Sequence, residues 1–223
     1  APEPAPDRGL WCWGGELGRA RFRFYGKPAE SGAGGGETEG DELAGHPVAW
    51  LRQRHSKQVL EAHGGGELGD GDAAFAVVSG LALRVVTADC VPVVLVADDC
   101  VAVVHAGWRG IAADVVGATL DRWPSSVLPT AIVGPSIGPC CYEVGDDVAA
   151  RVVTAAGSGD VSAPGPRGRP HLDLRLAVHH QLDGRVAAIA TLPVCTRCSD
   201  SLWSYRREGP RAGRNLALAW LEP

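Results

Sequence analysis

Hydrophobic residues concentrate in three short, valine-rich runs near the centre of this chain. The runs cover 82–86, 92–96 and 101–105, and each is bounded by Asp, Gly or Pro. Runs of this length and composition are typical of strands that are buried on both faces of a sheet. Asp98 and Asp99 separate the last two runs, and because aspartate favours turns we expect a tight hairpin there.

The spacing of bulky residues elsewhere in the chain predicts the remaining elements. Segment 19–25 alternates basic and bulky residues, which predicts a strand. Segment 110–123 changes to helical spacing and ends at Pro124, so a helix is predicted there. Further helices are predicted at 144–156 and 172–182, and further strands at 48–54, 58–62, 74–78, 130–133, 186–190 and 215–220.

The order of these elements indicates the fold class. Strands and helices mix without a regular alternation, which favours a mixed-sheet α/β sandwich around one core, with 1–223 as a single domain. The chain has 30 glycines and 16 prolines, so many turns are expected. The Gly-rich segments 26–45 and 64–71 predict surface loops, and the proline-rich start, 1–8, predicts a flexible N-terminus.

The composition excludes several classes of protein. Hydrophobic residues make up 45% of the chain and charged residues 21%, which excludes global disorder. The net charge is −5 and no basic cluster is long enough to follow a phosphate backbone, so no nucleic-acid partner is expected. No apolar run approaches the roughly 18–20 residues of a membrane span, and 1–8 lacks the features of a signal peptide. We therefore expect a cytoplasmic protein without a membrane partner, as a monomer or small homo-oligomer.

The seven cysteines favour free thiols in a reducing compartment, because their number is odd and a chain of this size needs no disulfide framework. Cys140 and Cys141 are neighbours, and adjacent side chains of a strand point to opposite sides, so we expect no shared metal ion there. Cys195 and Cys198 form a single CxxC pair, which is weak evidence for zinc without a second pair. Buried or inert thiols are expected at these two positions.

Three other residues form the candidate chemical site. Cys90 ends the segment TADC, His105 ends the apolar run VAVVH, and His55 follows a predicted strand. Two imidazoles and one thiolate would suit a catalytic zinc ion with an open fourth position. Alternatively, Cys90 would be the nucleophile of a thiol enzyme and His105 its base. Both options need the same convergence, and the hairpin at 98–99 would bring Cys90 close to His105.

The residues around this site carry a resemblance to a known family. Three segments carry it: TADCVPVVLVADDCVAVVHAGWRG, VGPSIGPCCYEVGDDV and CTRCSDSLWSYRREGPRAGRN. They resemble the YfiH family, whose members have been called laccase-domain proteins, multicopper polyphenol oxidases, purine nucleoside phosphorylases and peptidoglycan editing factors. The resemblance runs from about His55 to the C-terminus.

The resemblance implies an α/β sandwich with a zinc site at His55, Cys90 and His105. It also implies phosphorolysis of adenosine, inosine and methylthioadenosine, and deamination of adenosine, so nucleoside and phosphate are the expected partners. The family's fold is similar to that of a deamidating toxin with a Cys–His dyad. The alternatives are therefore a thiol hydrolase or amidase acting on a peptidoglycan precursor, a laccase-like oxidase, and a non-catalytic metal-binding protein.

The chain departs from the family pattern in two places. The N-terminal portion is compressed into 26–45, and the usual QVHG motif reads Gln53-Arg54-His55-Ser56. A multicopper oxidase would need roughly ten imidazoles, since imidazole is the normal copper ligand. This chain has seven histidines and no HxH pair, so zinc is expected, with copper as an alternative occupant.

Candidate substrate residues lie in the same segments. Arg109, catalytic in this interpretation, and Arg206 are the candidates for phosphate binding, because a planar guanidinium suits phosphate. Tyr205 or Trp108 would stack on a purine, although core packing is the favoured role for Trp108. Glu143 is a candidate substrate-binding or acid–base residue.

Asp89 is the second candidate for acid–base chemistry, since it precedes Cys90 directly. For Asp89, as for Glu143, the alternative is a supporting role in which the carboxylate orients a neighbour.

Overall fold

The computed structural model describes residues 5–7, 9–28 and 45–223. Within these residues the strands form a seven-stranded sheet A, a six-stranded sheet B and a two-stranded ribbon. In chain order the strands are β1 (Ala5–Asp7), β2 (Leu10–Leu17), β3 (Ala20–Pro28), β4 (Val48–Arg52), β5 (Val59–Glu61), β6 (Gly66–Asp70), β7 (Ala73–Ala76), β8 (Ala82–Thr87), β9 (Val91–Val96), β10 (Val101–Ala106), β11 (Thr130–Val133), β12 (Ser162–Pro164), β13 (Pro170–Leu172), β14 (Ala188–Thr191) and β15 (Asn215–Leu221). The helices are α1 (Trp108–Ala112), α2 (Val115–Asp121), α3 (Asp146–Ala156), α4 (Leu174–Leu182) and α5 (Tyr205–Glu208), with single 3₁₀ turns at Gly159–Val161 and Gly209–Arg211.

Both large sheets mix parallel and antiparallel pairs. Sheet A has the order β1-β2-β3-β15-β8-β4-β6, and sheet B the order β14-β11-β9-β10-β7-β5. Strands β9 and β10 pair antiparallel, whereas β11 with β14 and β5 with β7 pair parallel. The last strand, β15, lies between β3 and β8 in sheet A. This architecture confirms the mixed-sheet α/β class that the sequence predicts.

Sheet B is the middle layer, and alternate residues of its central strands face opposite layers. Leu95 belongs to a core that includes Val178 of α4, whereas Val94 belongs to a core that includes Leu83 of sheet A. Side chains alternate across a strand, and here both faces are covered, so β9 and β10 are apolar at nearly every position. Both strands are buried throughout, which explains the continuous valine-rich runs.

The β9–β10 hairpin positions the candidate site. The amide of Ala97 donates to the carbonyl of Cys100 at 2.9 Å, which closes the turn that Asp98 and Asp99 predict. The antiparallel register pairs Val96 with Val101 at the turn, and at the open end of the hairpin it pairs Pro92 with His105. Cys90 directly precedes β9, so the hairpin brings it to the same end as His105.

The helix predicted at 110–123 is wrong, because the segment forms two short helices, α1 and α2. Asp114 interrupts them with a left-handed backbone, φ 63°. Its carboxylate accepts a hydrogen bond from the amide of Gly117 and so caps α2. Aspartate tolerates the left-handed conformation better than most residues. The backbone therefore breaks at Asp114, although the helical spacing of apolar residues runs through this position.

The predicted loop at 64–71 is also wrong, since it contains β6, which pairs parallel with β4. Gly66 and Gly69 have φ of 110° and 118°, a backbone conformation that glycine adopts more easily than other residues. These glycines give this edge strand the composition of a loop. Of the predicted loop 26–45, residues 26–28 extend β3, and 29–44 lie outside the described residues. Of the predicted flexible start, 5–7 form β1, and 1–4 and 8 lie outside the described residues.

The helices at 144–156 and 172–182 are confirmed as α3 and α4, shortened by two residues at their N-terminal ends. Asp173 caps α4, because its carboxylate accepts hydrogen bonds from the amides of Arg175 and Leu176. Among the described residues, no helix combines the length and the apolar character that crossing a bilayer requires.

Candidate active site

The structure brings His55, Cys90 and His105 together from three separate segments. The Cys90 Sγ lies 4.0 Å from the His55 Nε2. One candidate ligand atom from each of the three residues lies within 4.8 Å of the other two. The imidazole rings of His55 and His105 meet edge to face, with their centroids 4.8 Å apart. A thiolate and two imidazoles at this spacing form a donor set that fits zinc with a further coordination position free.

A fully buried carboxylate, Asp72, holds both histidines in place. Its Oδ1 lies 2.8 Å from the His105 Nδ1, and because a carboxylate accepts, this nitrogen carries the proton. His105 therefore turns its Nε2 towards Cys90 and His55. The same carboxylate accepts hydrogen bonds from the backbone amides of Arg54, His55 and Ser56. These bonds fix the turn in which His55 has a φ of 59°.

Asp72 is a functional residue that the sequence interpretation missed. Carboxylates that orient a metal-binding histidine are a recurrent feature of metal sites. Asp72 lies in the segment Gly69–Ala74, whose Asp and Gly residues give it the composition of a loop. No local signal marks it, because its role depends on contacts with residues 16–33 positions away.

Gly107 leaves the space that the Cys90 and His55 side chains occupy. A β-carbon at this position would stand 2.9 Å from both the Cys90 Sγ and the His55 Cδ2. The backbone there is extended, with φ −76°, so the glycine is needed for close approach and not for an unusual conformation. This gives the first glycine of HAGWRG a direct structural role.

The charges of the three residues depend on one another. Burial would raise the pKa of the Cys90 thiol, but the charge of His105 and hydrogen bonds to both histidines lower it to about 6. Burial would lower the pKa of His105, but the charge of Cys90 and the hydrogen bond to Asp72 raise it to about 9. Burial would also raise the pKa of Asp72, yet hydrogen bonds from His105 and Ser56 hold it well below its usual range. The lowered pKa favours the thiolate of Cys90, the form that binds metals and attacks electrophiles.

The three residues open into a cavity of about 590 Å³. Arg109 and Arg206, both sequence candidates for phosphate, line this cavity, as does Tyr205. The full lining consists of Leu51, Gln53, His55, Val86, Thr87, Ala88, Asp89, Cys90, His105, Trp108, Arg109, Tyr142, Tyr205, Arg206 and Arg214.

Three arginines reach the cavity from different segments. Arg109 belongs to α1, and its guanidinium carbon lies 4.4 Å from the centre of the Trp108 ring. Arg206 donates from Nη1 to the carbonyl of Glu143 at 2.8 Å. Arg214 directly precedes β15. The three guanidiniums make the cavity suited to an anion.

The two candidate acid–base carboxylates already have partners. The Glu143 carboxylate lies 2.9 Å from the Arg167 Nε and is absent from the cavity lining, so the geometry adds no support for its predicted contact with substrate. Asp89 has a left-handed backbone, φ 96°, and its carboxylate accepts from the Thr196 hydroxyl and the Arg206 amide. Asp89 therefore holds the segment that carries Arg206, as the supporting role predicts.

The sequence predicts no shared ion at Cys140 and Cys141 and buried or inert thiols at Cys195 and Cys198, but in the structure none of the four is buried and all four lie together. Cys140, Cys141, Cys195 and Cys198 converge, with all four sulfur atoms within 4.8 Å of one another. Cys140 and Cys141 lie in a turn and not in a strand, so the rule that adjacent side chains diverge does not apply. The CxxC pair does have its second pair, supplied by a distant part of the chain.

Comparison with known proteins identifies the family. The profile of the family described as multi-copper polyphenol oxidoreductase laccase matches residues 39–222. The chain belongs to this family, which includes YfiH. Purine nucleoside phosphorylase of Clostridium acetobutylicum is 34% identical over 181 residues, covering 77% of this chain and 75% of the relative. Purine nucleoside phosphorylase of Mycobacterium tuberculosis is 37% identical over 191 residues, covering 81% and 74%.

Solved structures support the fold. A Neisseria meningitidis protein of the DUF152 family superimposes with a TM-score of 0.82 and 26% identity, covering 97% of this chain and all of that one. YlmD from Geobacillus stearothermophilus superimposes with a TM-score of 0.84 over 99% of both chains, and its 24% identity supports the fold alone.

The family description does not fit a multicopper centre in this chain. All seven histidines lie within the described residues 45–223. Among those residues, groups of three or more candidate ligands at metal-binding spacing are His55–Cys90–His105 and the four cysteines. Two imidazoles meet in the first group and none in the second, far from the roughly ten that a multicopper oxidase requires.

Proposed function

We propose that this protein is a zinc-dependent purine nucleoside phosphorylase that uses His55, Cys90 and His105 as metal ligands. The observation that carries the proposal is one cavity lined both by this donor set and by Arg109, Arg206 and Arg214. The relatives named purine nucleoside phosphorylase support the reaction class. Zinc bound by the three residues would supply a Lewis acid at the cavity wall.

The arginines supply the binding of phosphate. In phosphorolysis a phosphate oxygen forms a bond to C1′ of the ribose and the glycosidic bond breaks, with its electron pair leaving on the purine, which takes up a proton. Phosphate is an anion, so Arg109, Arg206 and Arg214 would hold its oxygens and reduce its charge repulsion with the Cys90 thiolate. Asp89 holds the backbone of Arg206 at the cavity, because its carboxylate accepts the Arg206 amide.

A purine needs an aromatic face within the same cavity. The guanidiniums of Arg109 and Arg151 already lie against the Trp108 ring, 4.4 and 5.4 Å from its centre. Tyr205 is more than half exposed, which leaves its ring available to a ligand. We therefore favour Tyr205 over Trp108 as the residue that stacks on the purine.

The test is a nucleoside panel with the zinc-loaded protein, with and without phosphate. Inosine with phosphate should yield hypoxanthine and ribose 1-phosphate, adenosine and methylthioadenosine should yield their bases, and inosine formed from adenosine would measure deamination. Arg109→Ala should raise the KM for phosphate at least about tenfold, since it removes a charge-assisted contact. Arg54→Ala, which alters an exposed arginine outside the cavity lining, is the matched control. Base release that is independent of phosphate, or none from any nucleoside, would contradict the proposal.

A thiol hydrolase or amidase is the second candidate, because Cys90 lies beside His105, whose charge lowers the pKa of the thiol. The two candidates differ in what Cys90 does. In the zinc enzyme, Cys90→Ala releases the metal and bound zinc protects Cys90 from iodoacetamide. In a thiol hydrolase, the metal-free protein cleaves an amide of a peptidoglycan precursor, and chelators leave that activity intact. Iodoacetamide then alkylates Cys90 in the metal-free protein and abolishes the activity.

A further inference from the structure

The four clustered cysteines lie where two parallel strands end. Strands β11 and β14 pair parallel, with Val133 opposite Thr191, so both chains leave sheet B at the same edge. The pairing continues as a bridge between Ser136 and Cys195. The turn with Cys140 and Cys141 follows β11, and the turn with Cys195 and Cys198 follows β14. The topology therefore places two dithiol turns beside each other, outside the cavity lining.

The sulfur positions match a single tetrahedral ion. The Sγ of Cys198 lies 3.8 Å from that of Cys140 and 3.4 Å from that of Cys141, and all four sulfurs lie within 4.8 Å of one another. Zinc binds thiolate sulfur at about 2.3 Å, which places two sulfurs of a tetrahedral site about 3.8 Å apart. The cluster already has the spacing of a four-cysteine zinc site.

The backbone around Cys195 favours its thiolate. The amide of Gly138 donates to the Cys195 Sγ at 3.2 Å. Amide donors of this kind stabilise the negative charge that a thiolate ligand keeps in a metal site.

The Arg175 guanidinium lies beside the cluster, and one of its nitrogens has no hydrogen-bond partner among the described residues. Among the described residues, the Nη1 of Arg175 is buried and makes no hydrogen bond. Its Nη2 and the Cys140 Sγ lie 3.2 and 3.3 Å from the point where a β-carbon on Gly138 would stand, so guanidinium and thiol face the same small space. Four thiolates around Zn²⁺ carry a net charge of −2, which this guanidinium would partly offset.

We propose that Cys140, Cys141, Cys195 and Cys198 bind one structural Zn²⁺ ion. Binding releases the thiol protons and replaces four separate thiols by one closed site without an open position for substrate. The proposal stands independently of the nucleoside reaction, because it uses none of the residues of the cavity.

The ion would fix the wall of the active-site cavity. Both cysteine turns contact Asp89, the neighbour of Cys90: the Ile137 amide donates to its carbonyl at 2.9 Å and the Thr196 hydroxyl to its carboxylate at 2.6 Å. Tyr142, one residue beyond Cys141, lines the cavity. Zinc that joins the turns would therefore hold Asp89, and with it the segment of Arg206, in one arrangement.

Metal content per chain tests the proposal. Protein purified without a His-tag and without chelators is compared with Cys198→Ser, with His55→Ala and with the double variant. Cys198→Ser should lose one zinc per chain in either background, whether or not His55→Ala loses another. Cys12→Ser, which alters a half-buried cysteine of sheet A, is the control and should keep the full zinc content. Unchanged zinc in Cys198→Ser would overturn the proposal, while unchanged zinc in His55→Ala would count only against the metal site of the proposed enzyme.

Two measurements on the unaltered protein apply even if Cys198→Ser fails to fold. Cys140 and Cys198 are exposed, so as free thiols they are accessible to iodoacetamide, which alkylates them at alkaline pH, where the thiolate forms. In the zinc form they should resist alkylation and should react after a chelator is added. Cobalt that replaces the zinc should show the intense thiolate-to-metal absorption of a four-sulfur site. Rapid alkylation of the zinc-loaded protein, a disulfide between these cysteines, or iron in place of zinc would overturn the proposal.

Discussion

Asp72 and Gly107 show how single residues decide the geometry of the candidate site. One buried carboxylate binds the ring of His105 and the backbone of His55, so both imidazoles share a common support. Gly107 contributes by having no side chain, since a β-carbon would stand 2.9 Å from both Cys90 and His55. The identity of the three candidate ligands is therefore insufficient without these two neighbours.

Gly107→Ala should disrupt the candidate site without disrupting the fold. The added methyl group forces Cys90 or His55 to move, and displacements near 1 Å can cost about 10²-fold in activity. We expect the zinc content to fall by one per chain and nucleoside kcat/KM to fall by about that factor, measured by elemental analysis and steady-state assay.

Gly64→Ala is the matched control, because no atom lies within 4 Å of a β-carbon there. A Gly107→Ala protein that keeps its zinc and its kcat/KM would show that the three side chains do not need the spacing described.

At the scale of secondary structure, the break between α1 and α2 depends on one residue. Asp114 adopts a left-handed backbone and caps α2 through the Gly117 amide, and Gly117 itself must lack a β-carbon because one would stand 2.1 Å from the Asp114 carboxylate. The break allows both short helices to cover sheet B: Ile111 of α1 and Val116 of α2 lie in the same core. A single straight helix from 110 to 123 would not have this geometry.

Asp114→Ala should lower the free energy of unfolding by about 1–3 kcal/mol. The substitution removes the N-cap, worth about 1 kcal/mol, and places a residue without a polar side chain in the left-handed region. Urea unfolding followed by circular dichroism measures the change. Asp114→Asn keeps a capping oxygen and the tolerance for this backbone, so a loss as large as that of alanine would contradict the explanation.

At the scale of the whole molecule, the last strand completes the sandwich. Strand β15 lies between β3 and β8, and all seven of its residues are buried. It joins the N-terminal hairpin β2–β3 to the strands that follow residue 45. Sheet A therefore reaches its full width only when the two ends of the chain have met, which is a contact of long sequence separation.

Leu218→Ala tests the contribution of this strand. Leu218 is fully buried at the centre of β15, so the substitution should lower the free energy of unfolding by about 2–5 kcal/mol. Leu128→Ala, at a residue that is 56% exposed, should change it by less than about 0.5 kcal/mol. Equal effects of the two variants in urea titrations would contradict the central role of β15.

Local sequence determined the elements whose signals are short in range. The β9–β10 hairpin follows from two valine-rich runs around Asp98 and Asp99, and α4 matches the helix predicted at 172–182 except for its first two residues. The candidate ligands His55, Cys90 and His105 were also identifiable as candidates, because they stand at the ends of apolar runs or predicted strands and the surrounding motifs resemble a known family. Each of these inferences rests on a local signal, a run or a motif of neighbouring residues, and not on a contact between distant segments.

Only the tertiary structure decided which distant residues meet. Asp72 reaches the histidines across 17 and 33 positions, and Cys141 reaches Cys198 across 57. Composition predicted a loop where β6 forms, because an edge strand built on backbone hydrogen bonds needs little side-chain burial. A site assembled from several turns depends on the pairing of whole strands, and that pairing is set by the balance of packing over the entire core and not by any one segment.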